Sequence, residues 1–175
     1  MKILDFPELR QTYEYDCGAK ALQAVFAYFG LEFSEEVLIK EAKTSEKEGT
    51  TVINIEKTAE KYGFKVDSRA MEIKEVQEYI NQKIPVILLL QAWKEDLKVN
   101  WEQDWQNGHY VVAIGYDQER IYFEDPAAFK RTFLSYAELE KRWHDLIQGK
   151  RYIRRGIALY GKTPKFDSKP IIHMD

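Results

Sequence analysis

Through the first half of the chain the apolar residues recur at helical spacing. Ala21, Leu22, Val25 and Phe29 share one face of a segment opening at Cys17, with Gly30 as its cap, so the spacing predicts a helix over residues 17–29. Ser34 is placed to cap a second helix, "SEEVLIKEAK", with Glu35 and Glu36 suiting its positive start. "GTTVINIEKTAEKYG" reads as a glycine-initiated turn, a third helix and a stop at Gly63. "FKVDSRA" fits a short strand, and "IKEVQEYINQK" a fourth helix that ends before Pro85.

At Pro85 the period changes. "PVILLLQ" is a short continuous apolar run, the mark of a strand buried on both faces. "HYVVAIGY" and "IYFEDP" follow as strands of an antiparallel hairpin turning at "DQER". "SYAELEKRWHDL" predicts a last helix, with Ser135 as N-cap and Glu138 completing a capping box. "RYIRRGIALYG" predicts a final strand, and the polar tail from Lys162 a frayed or loosely packed end. Helices segregated from an antiparallel sheet make an α+β domain over residues 1–161, with 162–175 as a tail. A cleft between the two halves is the natural place for a site that draws a group from each.

Composition narrows the function classes. With 45% hydrophobic and 31% charged residues the chain belongs with folded proteins, and 175 residues suggest one domain. A formal net charge of -3 leaves no electrostatic footprint for nucleic acid; the basic run "GKRYIRR" reads as a solvated face. "MKILDFPEL" has no apolar core of a secretory signal, and the longest apolar run is too short to cross a membrane. One cysteine cannot form an internal disulfide, and three histidines argue against a Cys/His zinc site. The expected location is the cytoplasm, where thiols stay reduced.

That single cysteine opens a helix rather than sitting inside one. The partial positive charge at a helix start favours the thiolate, which is the nucleophile. His109 begins a strand and is the candidate base; Asp125 ends the partner strand and is the candidate for orienting the imidazole. Gln11, six residues before Cys17, could donate to an oxyanion beside the Cys17 backbone N–H. Strand alternation sets a condition on this grouping. His109, Val111, Ala113 and Gly115 share one face, small enough to suit a closely packed helix. A regular hairpin closed by residues 117–120 would pair Asp125 with Val112, on the wrong face for His109. The grouping therefore predicts an irregularity that pairs Asp125 with Val111 or Ala113 instead.

"QTYEYDCGAKALQAVFAYFG", "GHYVVAIGYD" and "IYFEDP", in that order, resemble the papain-like cysteine peptidases related to the bacteriocin-processing, double-glycine leader peptidases. The likeness runs from about Gln11 to Leu159 and includes "PVILLLQAW" and "RWHD". It implies a papain-like α+β fold and a peptide or protein substrate. It also implies Cys17 as nucleophile, His109 as base, Asp125 as orienting group and Gln11 in the oxyanion hole. The well-known members are fused to a transporter with a nucleotide-binding domain; the expectation for this chain is a stand-alone domain. The reaction expected is cleavage of a peptide or amide bond, which needs no metal or organic cofactor. Two alternatives use the same residues: a transferase, in which an amine resolves the thioester, and a non-catalytic peptide-binding module.

Three features stay outside that grouping. His144 and Asp145 are expected on the last helix, where neighbours point about 100° apart, and read as structural. His173 reads as incidental. The segment "QAWKEDLKVNWEQDWQNGH" sets three tryptophans among polar residues ahead of His109; it fits a surface loop pinned by its aromatics or a flap over the cleft. Its acids Glu95, Asp96, Glu102 and Asp104 would suit basic side chains or a cation.

Overall fold

The computed structural model describes residues 1–94, 98–171 and 173–174. Five helices and nine strands follow in the order β1 (Lys2–Ile3), α1 (Cys17–Tyr28), α2 (Glu35–Glu41), α3 (Val52–Lys61), β2 (Lys65–Ala70), α4 (Ile73–Asn81), β3 (Val86–Gln91), β4 (Gly108–Tyr116), β5 (Arg120–Glu124), β6 (Thr132–Ser135), α5 (Tyr136–Arg142), β7 (His144–Ile147), β8 (Lys150–Ile153) and β9 (Arg155–Tyr160) among the described residues. The main sheet is antiparallel with strand order β2-β9-β3-β4-β5-β6, and β1 pairs with β4. This is the α+β arrangement that the change of period predicts.

The helix boundaries follow local chemistry. Ser34 Oγ accepts from Val37 N–H at 3.4 Å, and Thr51 Oγ1 from Asn54 N–H at 3.3 Å, each satisfying a donor at a helix start. Gly30 ends the first helical segment at φ 82°, a conformation that glycine adopts without a Cβ penalty. β3 is buried at all six positions, as its unbroken apolar run demands. Leu22, Val25 and Phe26 of α1 lie in the same core, where Phe26 stacks on Phe64 with ring centroids 5.1 Å apart.

Two expectations are corrected. The last helix stops at Arg142, and "HDLI" is strand β7, paired with β8 through a turn at Gln148 (φ 51°) and Gly149 (φ 75°). Both turn residues sit in the left-handed region, as a tight hairpin requires. The buried Trp143 fixes the break: its indole N–H donates to Arg155 O at 2.9 Å. The predicted final strand is split for a related reason. Arg154, at φ 50°, turns the chain between β8 and β9 while its N–H donates to Trp143 O at 2.7 Å. The end of the chain is partly docked: Lys165 and Phe166 N–H both donate to Tyr28 O, and Phe166 packs against the core.

Candidate active site

The β4–β5 hairpin carries the irregularity that the site needs. Tyr116 pairs with Ile121 and Gly115 with Tyr122, but Ala113 pairs with Phe123 and Val112 with Glu124, so the register slips by one between Ala113 and Gly115. Ile114 takes up the extra residue. Continued by one position, the shifted register sets Asp125 opposite Val111, on the face of His109.

His109 and Asp125 are both buried, and His109 Nε2 lies 2.8 Å from Asp125 Oδ1. Asp125 Oδ1 also accepts from Ala127 N–H at 2.9 Å. Its Oδ2 accepts from Trp93 Nε1 at 3.1 Å and Thr132 Oγ1 at 3.3 Å. Burial alone would raise the Asp125 carboxyl. The hydrogen bond and charge of His109, then Ala127 N–H and the Trp93 indole, outweigh it, and the carboxyl stays below its ordinary value. For His109 burial works toward the neutral ring. The hydrogen bonds to Asp125 and to Cys17 win, and the imidazolium is held up to about pH 10. With Nε2 turned to Asp125, the other ring nitrogen is left for the sulfur.

Cys17 is half-buried at the first position of α1. The glycine after it is a packing requirement. A Cβ on Gly18 would lie 2.7 Å from Thr50 Cβ and 2.9 Å from Tyr110 Cδ2, so only glycine lets the helix start this close to the sheet. Tyr110 alternates away from His109, so the first turn of α1 meets β4 on the Tyr110 side. The tyrosine stays in place by donating its hydroxyl to Thr50 O at 3.0 Å.

Gln11 is placed differently. Its N–H donates to Pro126 O at 3.0 Å, tying its loop to the turn after Asp125, and its side-chain Nε2 donates to Tyr13 O at 2.8 Å. It lines a hollow of about 300 Å³ with Tyr13, Pro126 and Phe129, whereas Cys17 lines a pocket of about 350 Å³ with Gly108, Tyr110 and Asp145. His109 is thus bonded to Asp125 and its imidazole is raised by Cys17, while the Gln11 amide is folded onto its own turn, with one of its two N–H groups uncommitted among the described residues.

Sequence reasoning missed Trp93, Thr132 and Asp145 as neighbours of the site. Only the tryptophan had a legible signal, the aromatic segment ahead of His109. That segment is pinned by its rings: Trp93 on Asp125, Trp101 under the Arg142 guanidinium at 4.0 Å, and Trp105 against His144 at 4.4 Å. Glu95 and Asp96 lie outside the described residues. Asp104 is buried and bound to Lys94 and Asn107. His144 is structural, as expected, with Nε2 2.7 Å from Asp104 O.

The sequence matches the Peptidase C39 family over residues 5–148. The chain belongs to that family. It is therefore a cysteine peptidase, a hydrolase. Among the relatives of this C39 peptidase is the lactococcin-G-processing and transport ATP-binding protein LagD of Lactococcus lactis subsp. lactis. It is 29% identical over 163 residues, which are 93% of this chain and 19% of that protein. The transport/processing ATP-binding protein ComA of Streptococcus pneumoniae (strain ATCC BAA-255 / R6) is 28% identical over 161 residues, 91% of this chain and 19% of that protein. The C39 peptidase thus spans about a fifth of the length of these relatives. Its fold is that of the peptidase domain of Streptococcus ComA (TM-score 0.66, 24% identity, 86% of this chain and 95% of that one). It also matches a double glycine motif protease from an AMS/PCAT transporter, solved in complex with the leader peptide (TM-score 0.65, 20% identity, 90% and 93%). Among the described residues no helix is long and apolar enough to cross a membrane.

Proposed function

We propose that Cys17, His109 and Asp125 are the catalytic triad of this cysteine peptidase, with Gln11 and the Cys17 backbone N–H as oxyanion donors. The observation that carries the reading is the ring of His109, held through Nε2 by a carboxylate with four donors and charged through the neutral pH range by Asp125 and Cys17 together. The imidazolium supports the thiolate, which attacks the carbonyl carbon of the scissile bond. The tetrahedral oxygen is met by the Cys17 N–H and by the uncommitted N–H of Gln11, once that amide turns from Tyr13. His109 then gives its proton to the leaving amine. A water deprotonated by the neutral ring hydrolyses the thioester. Trp93 donates its indole N–H to the outer oxygen of Asp125 and so helps to hold the carboxylate in place.

The substrate in this reading is a leader-bearing peptide cut after a double glycine. The lactococcin-G-processing relative and the fold neighbour with a bound leader peptide support it. Residues 1–161 act as one peptidase domain, in the cytoplasm, and 162–175 as its tail. The test is labelling with a peptidyl vinyl sulfone that ends in Gly-Gly, located by mass spectrometry. Adduct on Cys17 in the wild type, lost in His109→Ala, is the expected result. A folded protein that takes no label at Cys17 would remove the reading.

A further inference from the structure

The pocket beside Cys17 holds a carboxylate that the reaction does not use. Asp145 on β7 is 6% exposed and lines the pocket with Cys17. Gln91, fully buried at the end of β3, fixes it by donating Nε2 to Asp145 Oδ1 at 2.8 Å and to His144 O at 3.0 Å. The carboxyl stands directly over the backbone next to His109: a Cβ on Gly108 would fall 2.2 Å from Asp145 Oδ2. Only glycine at 108 leaves that space.

No ion pair joins Asp145 to any described residue. The cation that lines the same pocket, Lys47, is exposed beside Glu48. A carboxylate taken out of water without a cation is costly. Burial raises the Asp145 carboxyl, against the hydrogen bonds from Leu146 N–H and Gln91 that favour its ionised form. A positive group entering the pocket would supply the missing partner.

We propose that Asp145 recognises a cationic group of the substrate close to the scissile bond, a lysine or arginine side chain or a free α-amine. This rests on the reading of Cys17 as the nucleophile beside which the pocket opens. The probe is a set of internally quenched octapeptides around a central Gly-Gly. A single lysine, arginine or norleucine is walked through every other position, with acetylated and free amino ends. Wild type should cut the best lysine or arginine peptide at least about tenfold faster than its norleucine match. Asp145→Asn, which keeps an acceptor for Gln91, and Asp145→Ser should bring the ratio close to one. A response from acetylated peptides assigns a side chain; a response confined to free amino ends assigns the α-amine. No basic preference in wild type, or one kept in both folded variants, would overturn the proposal. If no peptide is cut, the same set is titrated into Cys17→Ala by calorimetry. Tighter binding of the basic peptide, abolished by adding Asp145→Asn, upholds the proposal while the nucleophile reading fails. Equal binding overturns the proposal.

Discussion

At the scale of single residues the site is a matter of which hydrogen bonds are committed. Asp125 has four donors and no freedom to turn, so His109 has one orientation. Gln11 has a donor to spare, and Gln11→Ala should fold normally yet lose about 10²–10³-fold in turnover. Single-turnover kinetics on a cleaved peptide would check this, and unchanged turnover would take Gln11 out of the mechanism. Asp16, next to Cys17, is the opposite case. It is fully buried and neither carboxyl oxygen meets a donor in good geometry among the described residues. Burial, then the neighbouring Glu35, raises it from 3.8 to about 6. For Glu35 burial is outweighed by Lys20, Thr12 and Asp16, and it falls to about 2, so the shared proton rests on Asp16. A carboxyl raised on folding holds its proton more tightly in the fold, so stability is lost as pH rises from about 4 through 6. Asp16→Asn removes that loss. Its melting temperature should exceed that of wild type at pH 8, with the gap closing as pH falls toward 4; a gap independent of pH would contradict the assignment.

At the scale of elements the placement of Cys17, the proposed nucleophile, depends on the close contact between α1 and β4. Gly18→Ala would press a methyl group into Thr50 and Tyr110, where backbone and ring are both held. Overpacking of this kind costs about 1–3 kcal/mol. Urea unfolding should show that loss, and thiol labelling should slow because the helix start shifts. Normal stability would mean that the contact relaxes freely. Elements whose signal is local were legible: the capped helices, the buried run of β3, the hairpin strands. The slip at Ile114 was legible only by inference, because a bulge has no composition of its own and was demanded by the need to bring Asp125 to the face of His109. β1 and β6 were missed. Each is short, with few residues to show a period, and exists because a neighbouring strand offers it an edge. The boundary between α5 and β7 was misread because "SYAELEKRWHDL" has good helical spacing, whereas the tertiary bond from Trp143 to Arg155 ends the helix.

At the scale of the whole molecule the helical half supplies the thiol and the sheet half supplies the imidazole and carboxylate. The bond between His109 and Asp125 was legible because each sits at the end of a strand, where a side chain can point into a cleft, and the same position at a helix start is what marks Cys17 as the candidate nucleophile. Asp145 was not legible, because its role depends on β7 folding back over Gly108, which no local pattern records. In the proposed mechanism these halves meet where the His109 imidazolium activates the Cys17 thiol. A group raised from 6.5 to about 10 contributes its stabilisation fully below pH 6.5 and loses it as pH rises through about 10, so His109 is charged at pH 6. The direct measurement is the pH dependence of iodoacetamide alkylation of Cys17 in wild type and in His109→Ala. The wild type should react readily at pH 6, about tenfold or more faster than the variant, which should catch up only as pH nears the range of free thiols, about 8.5. Superimposable profiles would contradict the account and return Cys17 to the role of a packing residue.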